Sequence, residues 1–224
     1  MLLFNNFVNK ICIVAQLYYI TNNLVSEIIF ISRLEYYKKY KMTIGVFIMK
    51  TITVNNREFK IIKLLGKGKG GYSYLVDNDK ERFVVKQIHH EPCDYYKFGS
   101  KIESELNDYN KLYALGIRMP KMLDIDIKNE RILKEFIDGK TIYELALEDK
   151  VKSIYVNQLK EMCHILYPLN INIDYFPTNF IVQDELLWYI DYECNNYMEE
   201  WNFENWGIKY WSRTTELMEY SKSL

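Results

Sequence analysis

"GKGKGGYSYLV", residues 66 to 76, sets Gly66, Gly68 and Gly71 in a G-x-G-x-x-G spacing and follows them with an alternating, β-prone run. The spacing alone has two incompatible readings, and the residues that come next choose between them. A dinucleotide site needs a helix straight after the glycines, so that the helix N-terminus meets the pyrophosphate. Here Tyr72 to Val76 alternate as a strand does, and the Rossmann reading fails on context. No G-K-[ST] closes the loop, which excludes a Walker A motif. What remains is a strand, a glycine bend and a strand, in which missing Cβ atoms let backbone N–H groups approach an anion such as a phosphate chain.

The flanks extend this pattern. "TITV" (51–54), the turn "NN" and "REFKIIKLL" (57–65) read as a hairpin before the glycines. After them, "YSYLV", the turn "DNDK" and "RFVVKQI" (82–88) continue an antiparallel meander. Ile102, Leu106, Tyr109, Leu112 and Tyr113 recur at helical spacing in 100–117, with Gly116 placed as a C-cap and Pro120 just beyond. "KMLDIDI" and "RILKEFI" (121–137) complete an expected five-stranded antiparallel sheet with one helix. Farther on, Thr141 and Glu144 are spaced as a capping box, "VKSIYVNQLKEMCHIL" (151–166) is an amphipathic helix, and "FIV", "QDE", "LWYID" (180–191) is a further hairpin.

Lys86 closes "FVVK" on the strand after the glycines. A lysine on a buried strand needs a partner, and Glu105, on the same helical face as Tyr109 and Leu112, is turned toward the sheet to supply one. Glu103 is the alternative partner. In "NIDYFPTNFIV" (172–182), Asp174 and Asn179 stand five apart on a loop leading into a strand. By itself that stretch reads more readily as a polar turn before a hairpin.

Composition bounds the functional classes. The 224 residues are 49% hydrophobic and 26% charged, enough apolar material for a real core and against disorder. The net charge of −1, with both signs mixed along the chain, leaves no electrostatic footprint for nucleic acid or an anionic membrane. Cys12, Cys93, Cys163 and Cys194 form no Cys-x-x-Cys pair, which argues against a disulfide framework and a zinc site, and suits the reducing cytoplasm. The three histidines, His89, His90 and His164, neighbour no nucleophile elbow or His-Glu-x-x-His helix. Residues 1–48 are apolar but interrupted by Lys10, Gln16, Asn22, Asn23 and Glu27, short of an uninterrupted membrane span, and they lack a secretory signal pattern. A helical extension, or upstream sequence outside the natural product, is the expectation there, with Met42 and Met49 as alternative starts.

Taken in order, Gly66-x-Gly68-x-x-Gly71, Val-Val-Lys86, helical Glu105, "LKEFIDG", Asp174-x-x-x-x-Asn179 and Asp191 resemble the protein-kinase-like fold over residues 49 to about 195. Small bacterial kinase-like proteins of the lipopolysaccharide-kinase, Rio-like and aminoglycoside-phosphotransferase kind are the nearest likeness. The resemblance implies an α+β, two-lobed fold: an extension (1–48), an N-lobe with a five-stranded antiparallel sheet and one helix (49–137), and a small, mostly helical C-lobe (138–224). It implies ATP and Mg²⁺ as cofactors, and transfer of the γ-phosphate to a hydroxyl acceptor on a protein or small molecule. By the same resemblance, Gly66, Gly68 and Gly71 cover the phosphates, Lys86 binds them and is fixed by Glu105, and the backbone of Glu135 and Ile137 reads the adenine edge. Asp174 then orients the acceptor and takes its proton, while Asn179 and Asp191 hold the metal ions.

The chain also departs from the family pattern. Asn172 and Ile173 stand where its catalytic loop has His and Arg, and Phe176 where Ser/Thr kinases carry a phosphate-contacting lysine. Tyr192 and Glu193 replace Phe-Gly after Asp191, no Ala-Pro-Glu follows, and Lys134 falls at the gatekeeper position beside the hinge. About 30 residues follow Asp191, and Trp201, Trp206 and Trp211 are read there as anchors of a miniature core. A small-molecule kinase of the aminoglycoside or sugar type, or a nucleotide-binding pseudokinase scaffold, are the alternatives.

Overall fold

The computed structural model describes residues 50–91 and 100–223. The chain divides into two compact units, Met1–Met49 and Lys50–Leu224, and the described residues all fall in the second. The expectations for residues 1–48, and those for Cys12 and Cys93, lie outside the described residues.

Two asparagines begin the sheet. Asn55 and Asn56 take positive φ values of 45° and 66°, the left-handed turn that asparagine tolerates, and fold β1 (Thr51–Val54) onto β2 (Arg57–Lys67). Strands β3 (Gly71–Asp77) and β4 (Arg82–Ile88) follow, then helix α1 (Lys101–Ala114), β5 (Met122–Asp126) and β6 (Arg131–Glu135). They form one antiparallel sheet in the order β1-β2-β3-β4-β6-β5. The sheet has six strands, one at each of the six stretches read as strands, so the expected total of five was one short. The short β1 pairs along its whole length, because alternating Ile52 and Val54 bury their side chains on its inner face.

The sheet curls until its two edges meet. The Asn55 N–H donates to the Asp126 carboxylate (3.0 Å), and its side-chain amide donates to Asp124 and the Ile125 carbonyl (both 2.9 Å). Arg57 pairs with Asp124 at 2.6 Å across the same seam. Period-two alternation then divides the side chains between two faces. Ile52, Val54, Phe59, Val76, Val85 and Leu133 form a small core inside the curl. Ile88 and Ile132 turn the other way, onto Ile102 and Leu112 of α1. Helix α1 ends as expected, with Gly116 at φ 75°, a conformation glycine adopts freely. Tyr113, expected on its packed face, is 57% exposed, because the helix buries only a narrow stripe through Ile102 and Leu112.

The C-terminal part begins with β7 (Lys140–Thr141) and α2 (Ile142–Leu147), joined by the expected Thr141–Glu144 capping box. Helix α3 (Ser153–Leu166), β8 (Ile171–Ile173), β9 (Phe180–Gln183), β10 (Leu186–Tyr189), β11 (Cys194–Asn196) and α4 (Thr215–Lys222) complete it. Two small sheets, β10-β9-β7 and β11-β8, make this part more mixed than the mostly helical expectation. Its core is continuous with that of α1: Ile88, Ile102 and Ile132 belong to the same buried cluster as Leu159, Ile173, Phe180 and Tyr192. Of the three tryptophans read as anchors, Trp211 is buried, Trp206 is half-buried and Trp201 is 50% exposed, so Trp201 is not part of the core. Among the described residues no helix is long and apolar enough to cross a membrane.

Candidate nucleotide and phosphotransfer site

Lys86 is the centre of the site. Alternation along β4 puts it on the same face as Ile88, toward α1 and away from the inner core. Its ammonium pairs with the Glu105 carboxylate of α1 and, at 3.2 Å, with Asp191, which lies two residues beyond the end of β10. Three residues from separate parts of the chain thus meet at one charge. Glu103, the alternative partner, is exposed on the other side of α1. Burial works against the Lys86 charge, but Asp191 and Glu105 more than offset it and push its pKa above the ordinary lysine value. Burial opposes the Asp191 charge too, and Lys86 together with Lys134 holds that carboxyl below the usual range.

The second carboxylate oxygen of Glu105 is buried without a hydrogen-bond partner among the described residues. Helix α1 is also tied to the segment after Asp191. The Cys194 N–H and thiol both donate to Asp108 (3.3 and 3.2 Å), and the Tyr109 and Tyr192 rings lie 4.8 Å apart. Asp191 itself accepts the Tyr192 N–H at 2.9 Å.

The glycine bend closes over this pair. A Cβ on Gly70 would stand 3.6 Å from Glu105 Oε1, while Gly66 has open space around it and Gly68 nothing nearer than 3.9 Å. Gly71 is different. A Cβ there would meet the Gln87 carbonyl oxygen at 2.5 Å, so close approach of β3 to β4 requires this glycine. The Gly68 N–H is used within the bend, donating to the Gly71 carbonyl at 2.9 Å.

Asp174 and Asn179 lie on the loop between β8 and β9. The Phe176 N–H donates to the Asp174 carboxylate (3.0 Å), and the Asn179 side-chain amide donates to the Asp174 carbonyl (3.4 Å). From below, Trp211 donates its indole N–H to the Tyr175 carbonyl at 2.8 Å. The Ile190 N–H donates to the Asn179 carbonyl at 2.9 Å, which fixes this loop against the segment carrying Asp191. Burial, then repulsion from Asp191 and Glu193, raises the Asp174 pKa above its ordinary value. Where a catalytic loop of the family has His, Asn172 is 4% exposed and donates to the Met198 carbonyl at 3.0 Å, a structural task.

At the expected hinge, Ile137 is buried and Glu135 half-buried, and the Glu135 N–H donates to the Lys121 carbonyl at 3.0 Å. Lys134, beside them, is buried with its ammonium on the Ile190 carbonyl. Sequence reasoning placed it next to the hinge but gave it no part in the site. Its partner, a backbone carbonyl far along the chain, leaves no trace in residue identity.

The oxygens fit a hard divalent cation. Asp191 keeps one carboxylate oxygen without a hydrogen bond among the described residues, and the Asn179 amide donates through nitrogen, leaving its oxygen. No group of three or more His, Cys, Asp or Glu side chains converges as a metal cage among the described residues. Two protein oxygens, completed by water and phosphate, is the manner in which Mg²⁺ is usually held.

No family model matches the chain. Over 161 residues, 68% of its length, it is 27% identical to the dual specificity protein kinase TTK of Mus musculus, and it is 26% identical over 163 residues to Ttk of Danio rerio. Over 83 residues it is 31% identical to the EKC/KEOPS complex subunit bud32 of Dictyostelium discoideum. The alignments span 19%, 16% and 32% of those proteins, so the chain corresponds to a minor part of each. These similarities support a protein-kinase-like family for the chain.

Proposed function

We propose that this chain is an ATP- and Mg²⁺-dependent phosphotransferase of the protein-kinase-like class, acting on a hydroxyl acceptor in the cytoplasm. The observation that carries the reading is Lys86, paired at once with Glu105 and Asp191 beneath a glycine bend. Residues 49–137 form the nucleotide lobe and 138–224 the acceptor lobe, preceded by an extension (1–48). Within that class the reading is of the small Rio-like, lipopolysaccharide-kinase-like or aminoglycoside-phosphotransferase-like kind.

In this reading Gly66, Gly68 and Gly71 cover the triphosphate, Lys86 neutralises it, and Glu105 keeps the lysine aimed. Glu135 and Ile137 present backbone groups to the adenine. Asp191 and Asn179 hold Mg²⁺, which neutralises charge on the phosphate oxygens. Asp174 orients the acceptor hydroxyl and takes its proton as the new O–P bond forms and the bond to the β-phosphate oxygen breaks, releasing ADP. A raised pKa suits Asp174 to receive that proton. Serine or threonine on a protein is one acceptor class. A small hydroxyl compound is favoured by Phe176, whose ring packs with Tyr220, Tyr210 and Trp206 (centroids 4.7, 5.1 and 6.2 Å) and gives the loop beside Asp174 an aromatic character.

Millimolar MgATP should raise the melting temperature by mass action, and Lys86→Ala should abolish most of that shift. An intact protein whose melting curve ignores MgATP would exclude the phosphotransferase reading. Labelled γ-phosphate from ATP, offered with lysate proteins and with sugars or aminoglycosides, identifies the acceptor.

A further inference from the structure

The register that brings Lys86 into the site brings a second lysine with it. Val84 faces Lys134 and Lys86 faces Ile132 across the β4–β6 ladder, so Lys86 and Lys134 are diagonal neighbours on one face. Lys134 is 5% exposed. Its ammonium donates to the Ile190 carbonyl at 2.8 Å and lies 4.3 Å from the centre of the Tyr192 ring. Those two residues are the chain neighbours of Asp191 on either side.

A buried ammonium resting on one carbonyl and one ring face is costly unless negative charge stands near it. Among the described residues, the negative charges that act on it are Asp191 and Glu105, whose ion pairs both go to Lys86. Lys86 and Lys134 therefore both stand near Asp191 and Glu105, with Asp174 and Glu193 adding negative charge close to Asp191, so positive charge is in place at Asp191 before any metal arrives. Burial and repulsion from Lys86 pull Lys134 down to about 8, with Asp191 and Glu105 opposing that fall.

We propose that Lys134 is a resident counter-cation of the nucleotide site, supplying part of the charge compensation at Asp191 that a divalent cation would otherwise supply, so that nucleoside triphosphate binds with reduced dependence on Mg²⁺. The inference rests on the phosphotransferase reading. Metal is still required for transfer itself, and the effect concerns binding.

The test is the ratio of the ATP dissociation constants measured by calorimetry in EDTA and in Mg²⁺. The intact protein should bind ATP in both. Lys134→Met, which keeps the apolar stem and removes the charge, should raise the ratio about tenfold or more, the scale of one unit charge about 10 Å away at an effective dielectric of ~20. Lys134→Arg should keep the original ratio. Lys134→Gln, with a donor for the Ile190 carbonyl but no charge, should behave as Lys134→Met does, and serves if that variant fails to fold. A neutral variant that weakens both constants equally, or lowers the ratio, would show that Lys134 only holds the segment in place and would overturn the proposal. Failure of the intact protein to bind ATP under either condition is a separate result. It would remove the phosphotransferase reading, and the role of Lys134 with it.

Discussion

Asp174 and Asp191 are both aspartates beside the same loop, yet their surroundings give them opposite characters. Asp191 is held ionised by two lysines, and Asp174 is pushed toward its neutral form by burial and by like charges. Their removal should fail differently. Asp191→Asn should weaken the Mg²⁺-supported part of nucleotide binding, whereas Asp174→Asn should leave binding near that of the intact protein and lower turnover by ~10² to 10⁴, as for loss of a positioned base. Calorimetry and a single-turnover assay separate the two, and equal loss of binding in both would contradict the assignment. Cys163 gives a pH prediction. Buried at 1% exposure, its thiol is pushed up to about 11, chiefly by burial. A folded pKa above the unfolded one (~8.5 for a free cysteine) contributes stability that is complete below the unfolded value and is lost as pH rises through the folded value. Iodoacetamide at pH 8 should therefore spare Cys163 in the folded protein and modify it in urea, as peptide mass mapping would read. Of the residue-level site, the Lys86–Glu105 pair was legible as the first choice because helical spacing puts Glu105 on the face of Tyr109 and Leu112, with Glu103 left open as the alternative. The engagement of Lys134 and Asn172 was not, since each binds a main-chain carbonyl, and any residue type supplies one.

Among the elements, the six strands of the sheet declared themselves by alternation and the turns by their residues. β1 is only four residues long, yet "TITV" was legible as one arm of a hairpin, and Ile52 and Val54 anchor it by packing into the inner core. The glycine bend shows a division between motif and cause. Its spacing is visible in sequence, but only the strand pairing shows that Gly71 is required by the Gln87 carbonyl and that Gly66 is not so constrained. Gly71→Ala should cost about 1–3 kcal/mol through forced separation of β3 and β4, whereas Gly66→Ala should change stability little. Urea midpoints compare the two, and an equal loss would show that the β3–β4 contact is not the reason for the glycine. The exposure of Trp201 was likewise not legible, because aromatic content in a short segment says that rings will pack without saying which of them stays outside.

At the scale of the molecule, one core joins α1 to the C-terminal sheets, and the site lies where that core brings β4, α1 and the segment after β10 together. This much of the architecture was readable from the order of motifs, because each kept its kind of element. How the six strands curl was not, since the seam depends on Asn55 reaching Asp124 and Asp126 some seventy residues away. That seam has a bearing on solubility. A sheet left open offers rows of unpaired N–H and C=O groups to any other chain, the usual route to β-aggregation. Here one outer strand is covered near its turn by polar and charged contacts to the other, so each border shields part of its counterpart. Loosening Asn55 or Arg57 would expose pairing-competent backbone long before the buried aromatic interior is disturbed, and clumping in storage or during expression would then precede any loss of fold.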